Sequence, residues 1–174
     1  PYVVITTGFT SPVREWMPSS INSTITGIKN RGYNIVFLGK KENPYWNSEG
    51  ITSTNFREEE INYNEGLDLR DKTDLLQASL ILKKSIAVMG VDNGLLHLAA
   101  AADSFLPIIA AYTTVHAEHR MPYRNGGFLG FNVFPIQPDI ACYGCQTKLS
   151  FLYNFDYRNC FYGDYSCVTK LKSK

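Results

Sequence analysis

Two groups of residues have types and spacings that could carry out chemistry. The first runs from Asp92 to His97, where a tight Asp-Asn-Gly turn follows an apolar run and a histidine lies one helical turn further on. The second consists of the four cysteines of the chain, all of which lie after residue 141. The first pattern is typical of anion binding and the second of metal binding.

The turn between 92 and 97 is predicted to connect a buried strand over 85–90 to a helix that begins at Asn93 or Gly94, with Asp92 as its cap. The amino end of such a helix, at the carboxyl edge of a parallel sheet, binds anions through backbone N–H groups. Gly94 would let a diphosphate approach the backbone closely, and His97 would point at the same ligand. The plainer alternative is a simple turn followed by a histidine in the core.

The cysteines begin with a Cys-x-x-Cys pair, Cys142 and Cys145, which encloses a glycine and is followed by Cys160 and Cys167. Four thiolates in one short segment match the tetrahedral sulfur coordination of zinc or iron. We therefore predict a structural Zn or Fe site, which would order a region poor in aliphatic residues. Two disulfides and reduced thiols are the alternatives. A secreted disulfide scaffold would spread its cysteines through the chain.

Composition indicates an ordinary globular protein. The 174 residues suffice for one well-buried domain, with 44% hydrophobic and 19% charged residues. A net charge of +1 does not suggest a nucleic-acid or anionic-membrane partner. No apolar run approaches the roughly 18 residues of a transmembrane helix, and we expect a cytoplasmic protein. Because Pro1 leads directly into a strand, we expect a domain cut from a longer polypeptide.

The elements that would position these residues follow from hydrophobic periodicity. Strands are predicted over 2–6, 33–38, 66–70, 85–90 and 106–111, and helices over 18–31, 73–83 and 94–102. Apolar strands that alternate with helices indicate a parallel sheet covered on both faces. We therefore predict an α/β fold, a Rossmann-like doubly wound parallel sheet. Thr73 or Asp71 is predicted to cap the second helix.

After Tyr112 the sequence becomes rich in loops. Residues 131–135 could add an edge strand, and His116–Arg120 is predicted to be a loop beside the ligand cleft. We divide the chain into a Rossmann-like domain over 1–135 and an aromatic-rich, cysteine-containing extension over 136–174. The basic tail from Lys170 is predicted to be frayed.

The sequence Asp-x-Gly-x-x-His-Leu-Ala-Ala from Asp92 resembles the donor-site signature of family 9 glycosyltransferases, the heptosyltransferase-like enzymes of the GT-B fold. Further elements resemble family motifs in the family's order: Thr7-Gly8 with Arg14-Glu15-Trp16-Met17-Pro18, Gly39-Lys40-Lys41-Glu42, Leu69 to Leu75, and Thr113-Thr114 with Pro122-Tyr123. The resemblance covers roughly residues 2–146. It implies that the fold is one half of a GT-B enzyme.

The resemblance implies a role for each matching residue. Arg14 would contact the donor phosphates, and Glu42 would accept hydrogen bonds from ribose hydroxyls. Thr7 and Gly8 would form part of the cleft floor. The diphosphate and the sugar would be surrounded by Asp92, Asn93, Gly94 and His97. His97 is the candidate catalytic group on this chain.

The function implied is that of the C-terminal donor-binding domain of a glycosyltransferase. It would transfer a heptose or hexose from a nucleotide diphosphate sugar to a glycan, lipid-linked or protein acceptor, as in lipopolysaccharide biosynthesis, without an organic cofactor. The general base lies on the N-terminal domain in GT-B enzymes, so this chain alone should bind donor and barely turn over. We expect it in the cytoplasm or peripherally at the inner membrane.

The cysteines resemble the C-terminal Cys finger that binds iron in some autotransporter heptosyltransferases of the same family. Two other functions are compatible with these motifs. One is a non-catalytic nucleotide-sugar-binding module, and the other is a fragment of a GT-B-type sugar-nucleotide epimerase. A second Rossmann-like half with a carboxylate base at the cleft would favour the transferase.

Overall fold

A computed structural model describes residues 1–7, 12–14, 16–41, 60–124, 128–147 and 160–171 of the chain. In chain order the helices and strands are β1 Tyr2–Thr6, α1 Pro18–Lys29, β2 Asn34–Leu38, β3 Leu67–Asp68, α2 Leu75–Lys83, β4 Ala87–Val91, α3 Gly94–Ala102, β5 Ile108–Ala111, β6 Tyr123–Arg124, β7 Phe128–Leu129, β8 Val133–Ile136 and α4 Ser166–Thr169. Short 3-10 turns cover Pro12–Arg14, Tyr63–Glu65 and Ala117–His119. Within the described residues, no helix has the length and apolar character needed to cross a membrane.

Six of the strands form one parallel sheet in the order β3-β2-β1-β4-β5-β8, while β6 and β7 form a separate antiparallel pair. The strand order reverses between β1 and β4, because the chain runs outward from β1 to β3 and then returns to the other side of β1. This order is that of a doubly wound Rossmann-like sheet, and it confirms the predicted α/β fold class. Folds of this kind bind ligands outside the carboxyl ends of the strands, at the point of reversal.

Two hydrophobic cores cover the two faces of this sheet. On one face Val4 packs in a cluster with Leu82 of α2 and Leu96 of α3. On the other face Ile5 packs with Ile25 of α1. Since successive strand residues point to opposite faces, a sheet covered on both sides needs apolar residues at every position. This explains the uninterrupted apolar runs of the central strands.

The cap of α2 differs from the prediction. Asp74 caps this helix, rather than Thr73 or Asp71, because its carboxylate accepts a hydrogen bond from the Gln77 N–H at 2.8 Å. Gln77 Oε1 in turn accepts from the Asp74 N–H at 3.0 Å, which completes a capping box. The carboxylate of Asp71 instead accepts a hydrogen bond from the backbone N–H of Lys41 at 3.0 Å.

The C-terminal extension packs onto the sheet domain. Leu171 is 4% exposed and belongs to the same core as Trp16, and α4 packs against the Pro12–Arg14 turn. The predicted fraying from Lys170 is therefore wrong at Leu171. Burial of this apolar side chain stabilises the ordered end relative to a frayed, solvated one. The edge strand predicted over 131–135 is present as β8, parallel to β5. The domain boundary after residue 135 stays a prediction.

Candidate functional site

The loops after β1 and β2 meet closely at the carboxyl edge of the sheet. The Thr7 N–H donates to the Leu38 carbonyl at 2.8 Å. Gly39 has φ 137°, and a Cβ at this position would lie 2.0 Å from the Thr7 carbonyl oxygen. The approach therefore requires glycine, and it fixes Thr7 beside the point where the strand order reverses.

The amino end of α3 is tied to the end of β1 through Asn93. Its Oδ1 accepts a hydrogen bond from the Leu95 N–H at 2.9 Å, and its Nδ2 donates to Thr6 Oγ1 at 3.4 Å. Asn93 is thus the cap of α3, and the prediction of Asp92 as cap is wrong. Asp and Asn are both favourable caps, so the residue types alone could not decide between them.

Asp92 instead forms an ion pair with Arg14. Arg14 Nη1 lies 3.7 Å from Asp92 Oδ2, and the two side chains are only 14% and 11% exposed. The turn that carries Arg14 is fixed from the loop after β5, because the Thr113 hydroxyl donates to the Val13 carbonyl. A cation and a carboxylate thus lie together beside a helix amino end. This arrangement suits a ligand that has both phosphate and hydroxyl groups.

Tyr112 lies at the end of β5, next to this pair. It is 2% exposed, and its pKa is raised well above the ordinary value, first by burial and then by the negative charge of Asp92. Its phenol therefore stays protonated as a neutral group beside Asp92. Tyr112 was not predicted as a site residue, since its only sequence signal was a place at the end of an apolar run.

Gly94 and His97 form an open surface at the start of α3. A Cβ at Gly94 would meet no atom within 4 Å, so packing within the described chain does not require glycine there. His97 is exposed, which rules out the alternative of a core histidine. Gly8 and Glu42 lie outside the described residues, and their roles stay predictions.

The loop His116–Arg120 follows β5 at the same carboxyl edge of the sheet. His116 is half-buried, whereas His119 and Arg120 are exposed. His119 Nε2 lies 3.8 Å from Glu118 Oε1. A role for this loop in contacting a ligand stays a prediction.

The four cysteines are free thiols, so the disulfide alternative does not describe this structure. Burial first, and then the nearby Cys145, Cys160 and Cys142, raise the pKa of Cys167 to about 12. Burial also raises the pKa of Cys142 and Cys145. The mutual effects show that the thiols lie near one another. No three or more His, Cys, Asp or Glu side chains among the described residues are arranged to hold a metal ion, and the metal site stays a prediction.

A parallel sheet with this strand order, and with a charged pair and a helix amino end at its point of reversal, defines the class of doubly wound Rossmann-like folds. The family model described as glycosyltransferase family 9 (heptosyltransferase) matches residues 1–128. The chain belongs to glycosyltransferase family 9. Among curated protein sequences, none matches this chain.

Solved structures of heptosyltransferases share the fold. TibC, an iron-containing dodecameric heptosyltransferase in complex with ADP-D-beta-D-heptose, has a TM-score of 0.68 at 19% identity over 98% of this chain and 42% of its own. E. coli ADP-heptose lps heptosyltransferase II has a TM-score of 0.58 at 18% identity over 87% of this chain and 46% of its own. E. coli heptosyltransferase WaaC with ADP-2-deoxy-2-fluoro heptose has a TM-score of 0.56 at 20% identity over 88% of this chain and 43% of its own. The chain therefore spans less than half the length of each of these structures.

Proposed function

We propose that the chain is the donor-binding portion of a glycosyltransferase that uses a nucleoside diphosphate sugar. The observation that carries the proposal is the Arg14–Asp92 pair beside the amino end of α3, at the point where the strand order reverses. Two solved structures with a similar fold are complexes with ADP-D-beta-D-heptose and with ADP-2-deoxy-2-fluoro heptose. They support a nucleotide sugar as the ligand of this chain. The donated sugar would be a heptose or a hexose.

The chemistry of transfer gives each part of the site a task. Negative charge builds on the diphosphate as its bond to the sugar breaks. The Arg14 guanidinium and the positive end of α3 would stabilise that charge, while His97 would donate a hydrogen bond to the same group. Asp92 would accept hydrogen bonds from sugar hydroxyls. Because Gly94 leaves open space, a diphosphate could approach the backbone.

Further residues and a second domain complete the proposal. Thr7 and Gly8 would line the floor of the cleft, and Glu42 would bind ribose. The base that deprotonates a glycan, lipid-linked or protein acceptor is expected on a second GT-B domain, so the chain alone would bind donor with little turnover. The cytoplasm, or the inner face of a membrane that carries the acceptor, is the expected location.

A thermal-shift panel tests the donor proposal. The chain is heated with ADP-heptose, ADP-glucose, GDP-mannose or UDP-glucose, and at least one should raise the unfolding midpoint, since a ligand of the folded state stabilises it. His97→Ala should reduce that shift, whereas Lys83→Ala on an exposed part of α2 should leave it unchanged. If none of the four compounds raises the midpoint, the proposal is wrong.

We also propose that Cys142, Cys145, Cys160 and Cys167 bind one structural zinc or iron ion. Four free thiols support this, three of which lie near enough to Cys167 to raise its pKa. Elemental analysis should find near-stoichiometric metal in the purified chain and clearly less in Cys142→Ser. Metal-free wild-type protein would contradict this proposal and leave the donor proposal intact.

A further inference from the structure

The cysteine-containing extension contacts two segments that border the proposed donor site. On one side α4, which carries Cys167, packs against the Pro12–Arg14 turn. On the other side the segment around Cys142 and Cys145 contacts the loop after β5. In the sheet β5 lies next to β4, so this loop adjoins the turn that contains Asp92 at the carboxyl edge.

Tyr143 makes the main contact with the loop after β5. Its hydroxyl accepts a hydrogen bond from the Ala117 N–H at 3.1 Å and donates one to Gln137 Oε1. Its ring packs against that of His116 with the centroids 4.5 Å apart and the planes at 68°. The hydroxyl and the ring therefore hold the same loop by two different interactions.

The residues beside Tyr143 support this contact. Gly144 has φ 79°, and a Cβ there would lie 2.2 Å from His116 Nε2, so only glycine allows the imidazole to approach. The Gln146 N–H donates to the Thr114 carbonyl at 3.2 Å. The turn is closed by a hydrogen bond from the Cys145 N–H to the Cys142 carbonyl at 3.0 Å. One short turn thus carries two thiols and also fixes the loop.

Backbone hydrogen bonds at the end of β5 place the Tyr143 contact close to the donor side. The Asp92 N–H donates to the Ala111 carbonyl at 3.1 Å, and the Tyr112 N–H donates to the Ile136 carbonyl at 2.9 Å. The end of β5 is therefore bonded to the Asp92 turn on one side and to the segment that precedes Gln137 on the other. The loop held by Tyr143 begins directly after Tyr112.

We propose that Tyr143 is a positioning residue for donor binding. Its hydroxyl holds the 113–119 loop in place against the carboxyl edge of the sheet, so the conformation of the cysteine turn sets the affinity for the nucleotide. This inference rests on the proposed function, and it adds a residue that does not itself touch the ligand. It concerns the turn as a structural unit and holds with or without a bound metal.

The test compares two tyrosines of the extension by removing one hydroxyl from each. Tyr143→Phe should weaken ADP binding about 5-fold, the effect of losing one ordinary hydrogen bond. Tyr162→Phe is the matched control because Tyr162 is 60% exposed, and it should bind ADP as the wild type does. The affinity is measured by calorimetric titration with ADP, and with GDP and UDP in parallel, at a temperature well below the unfolding midpoint of each variant.

A second variant separates positioning from a loss of folding. Gln137 is exposed, so Gln137→Ala removes the acceptor of the Tyr143 hydroxyl without opening the core. It should weaken nucleotide binding by a smaller factor, and it should add nothing when combined with Tyr143→Phe. In a turnover assay with the second GT-B domain present, both variants should raise the donor KM and leave kcat near the wild-type value.

The outcomes distinguish the two proposals. If the wild type binds nucleotide and both variants bind it equally well, the positioning role of Tyr143 is wrong while the donor site stands. Full additivity of Gln137→Ala and Tyr143→Phe would also contradict it. If the wild type binds none of the three nucleotides, the donor proposal fails and this inference fails with it.

Discussion

Two aspartate–arginine pairs in this chain have very different geometry. At the edge of the sheet, Arg70 donates from Nε to Asp68 Oδ1 at 2.9 Å and from Nη2 to Oδ2 at 3.0 Å. Its guanidinium also lies over the Tyr63 ring, 3.2 Å from the centroid. At the point of strand reversal, Arg14 Nη1 and Asp92 Oδ2 are 3.7 Å apart, which is longer than a hydrogen bond.

The difference separates a structural pair from a candidate ligand-binding pair. Asp68 and Arg70 are neighbours on one chain segment, and their fork-like geometry matches that of a guanidinium with a carboxylate. Arg14 and Asp92 come from two distant segments that meet at the crevice. Of the two pairs, we therefore expect Asp68–Arg70 to contribute more to the free energy of unfolding and Arg14–Asp92 to contribute more to nucleotide affinity.

The largest effect is expected from breaking the structural pair. Arg70→Met keeps much of the buried volume but removes both guanidinium hydrogen bonds to the Asp68 carboxylate, which should lower the free energy of unfolding by about 3 kcal/mol. Urea unfolding measures this loss. Nucleotide affinity, measured without urea where the variant is folded, should be unchanged. A large loss of affinity with unchanged stability would instead make Asp68–Arg70 the ligand-binding pair.

Breaking the other pair should affect binding. Arg14→Ala removes a charged donor from the proposed phosphate site, and it should weaken nucleotide binding by about 2 kcal/mol, or roughly 30-fold. Arg31→Ala is the matched control, since Arg31 is exposed and lies at the end of α1, away from the carboxyl edge. Calorimetric titration of both variants decides, and equal affinities would remove Arg14 from the site.

The pH dependence of stability should come from the structural pair. The hydrogen bond from Arg70 holds the pKa of Asp68 below its usual value. The stabilisation is therefore present above the unfolded-state pKa of about 4 and is lost as the pH falls through the folded-state value. In urea unfolding at pH 7, 5 and 3.5, the difference between wild type and Asp68→Asn should shrink toward the acid end. A difference that grows at low pH would contradict this sign.

The smallest effect on stability is expected at two glycines that lie at helical positions. Gly94→Ala should stabilise the chain slightly, by about 0.5 kcal/mol, because the new Cβ enters open space. The same Cβ should weaken nucleotide binding several-fold by obstructing the diphosphate. Gly27→Ala in α1 should stabilise similarly and leave affinity unchanged, since its Cβ would make only an ordinary contact at 3.5 Å with Arg31. If Gly94→Ala bound nucleotide normally, close backbone approach would not be needed.

The fold could be predicted because its signals are local. Apolar runs and helical periodicity identify the central strands and the three longer helices, and the doubly wound arrangement follows from their alternation. The structure confirms this class through the sheet order. The strand predicted over 66–70 is present as β3 but covers only Leu67–Asp68, and the two-residue strands β6 and β7 were not predicted, since so few residues give no periodic pattern.

The contacts at the site could be predicted only in part. The turn at 92–97 was visible in the sequence, but the partner of Asp92 comes from a distant loop, so its role as a cap was a wrong prediction. The link between Tyr143 and Ala117 had no sequence signal, since both residues lie in segments predicted as loops. Leu171 was missed because a basic, polar tail surrounds one apolar residue.

Amide hydrogen exchange with and without a nucleotide sugar tests the central claim most directly. With ADP-heptose bound, peptides that cover residues 92–97 and the Pro12–Arg14 turn should exchange more slowly, while α2 on the same chain should exchange at its original rate. This footprint would place the ligand at the point of strand reversal. Binding that protects α2 and leaves residues 92–97 unchanged would contradict the account.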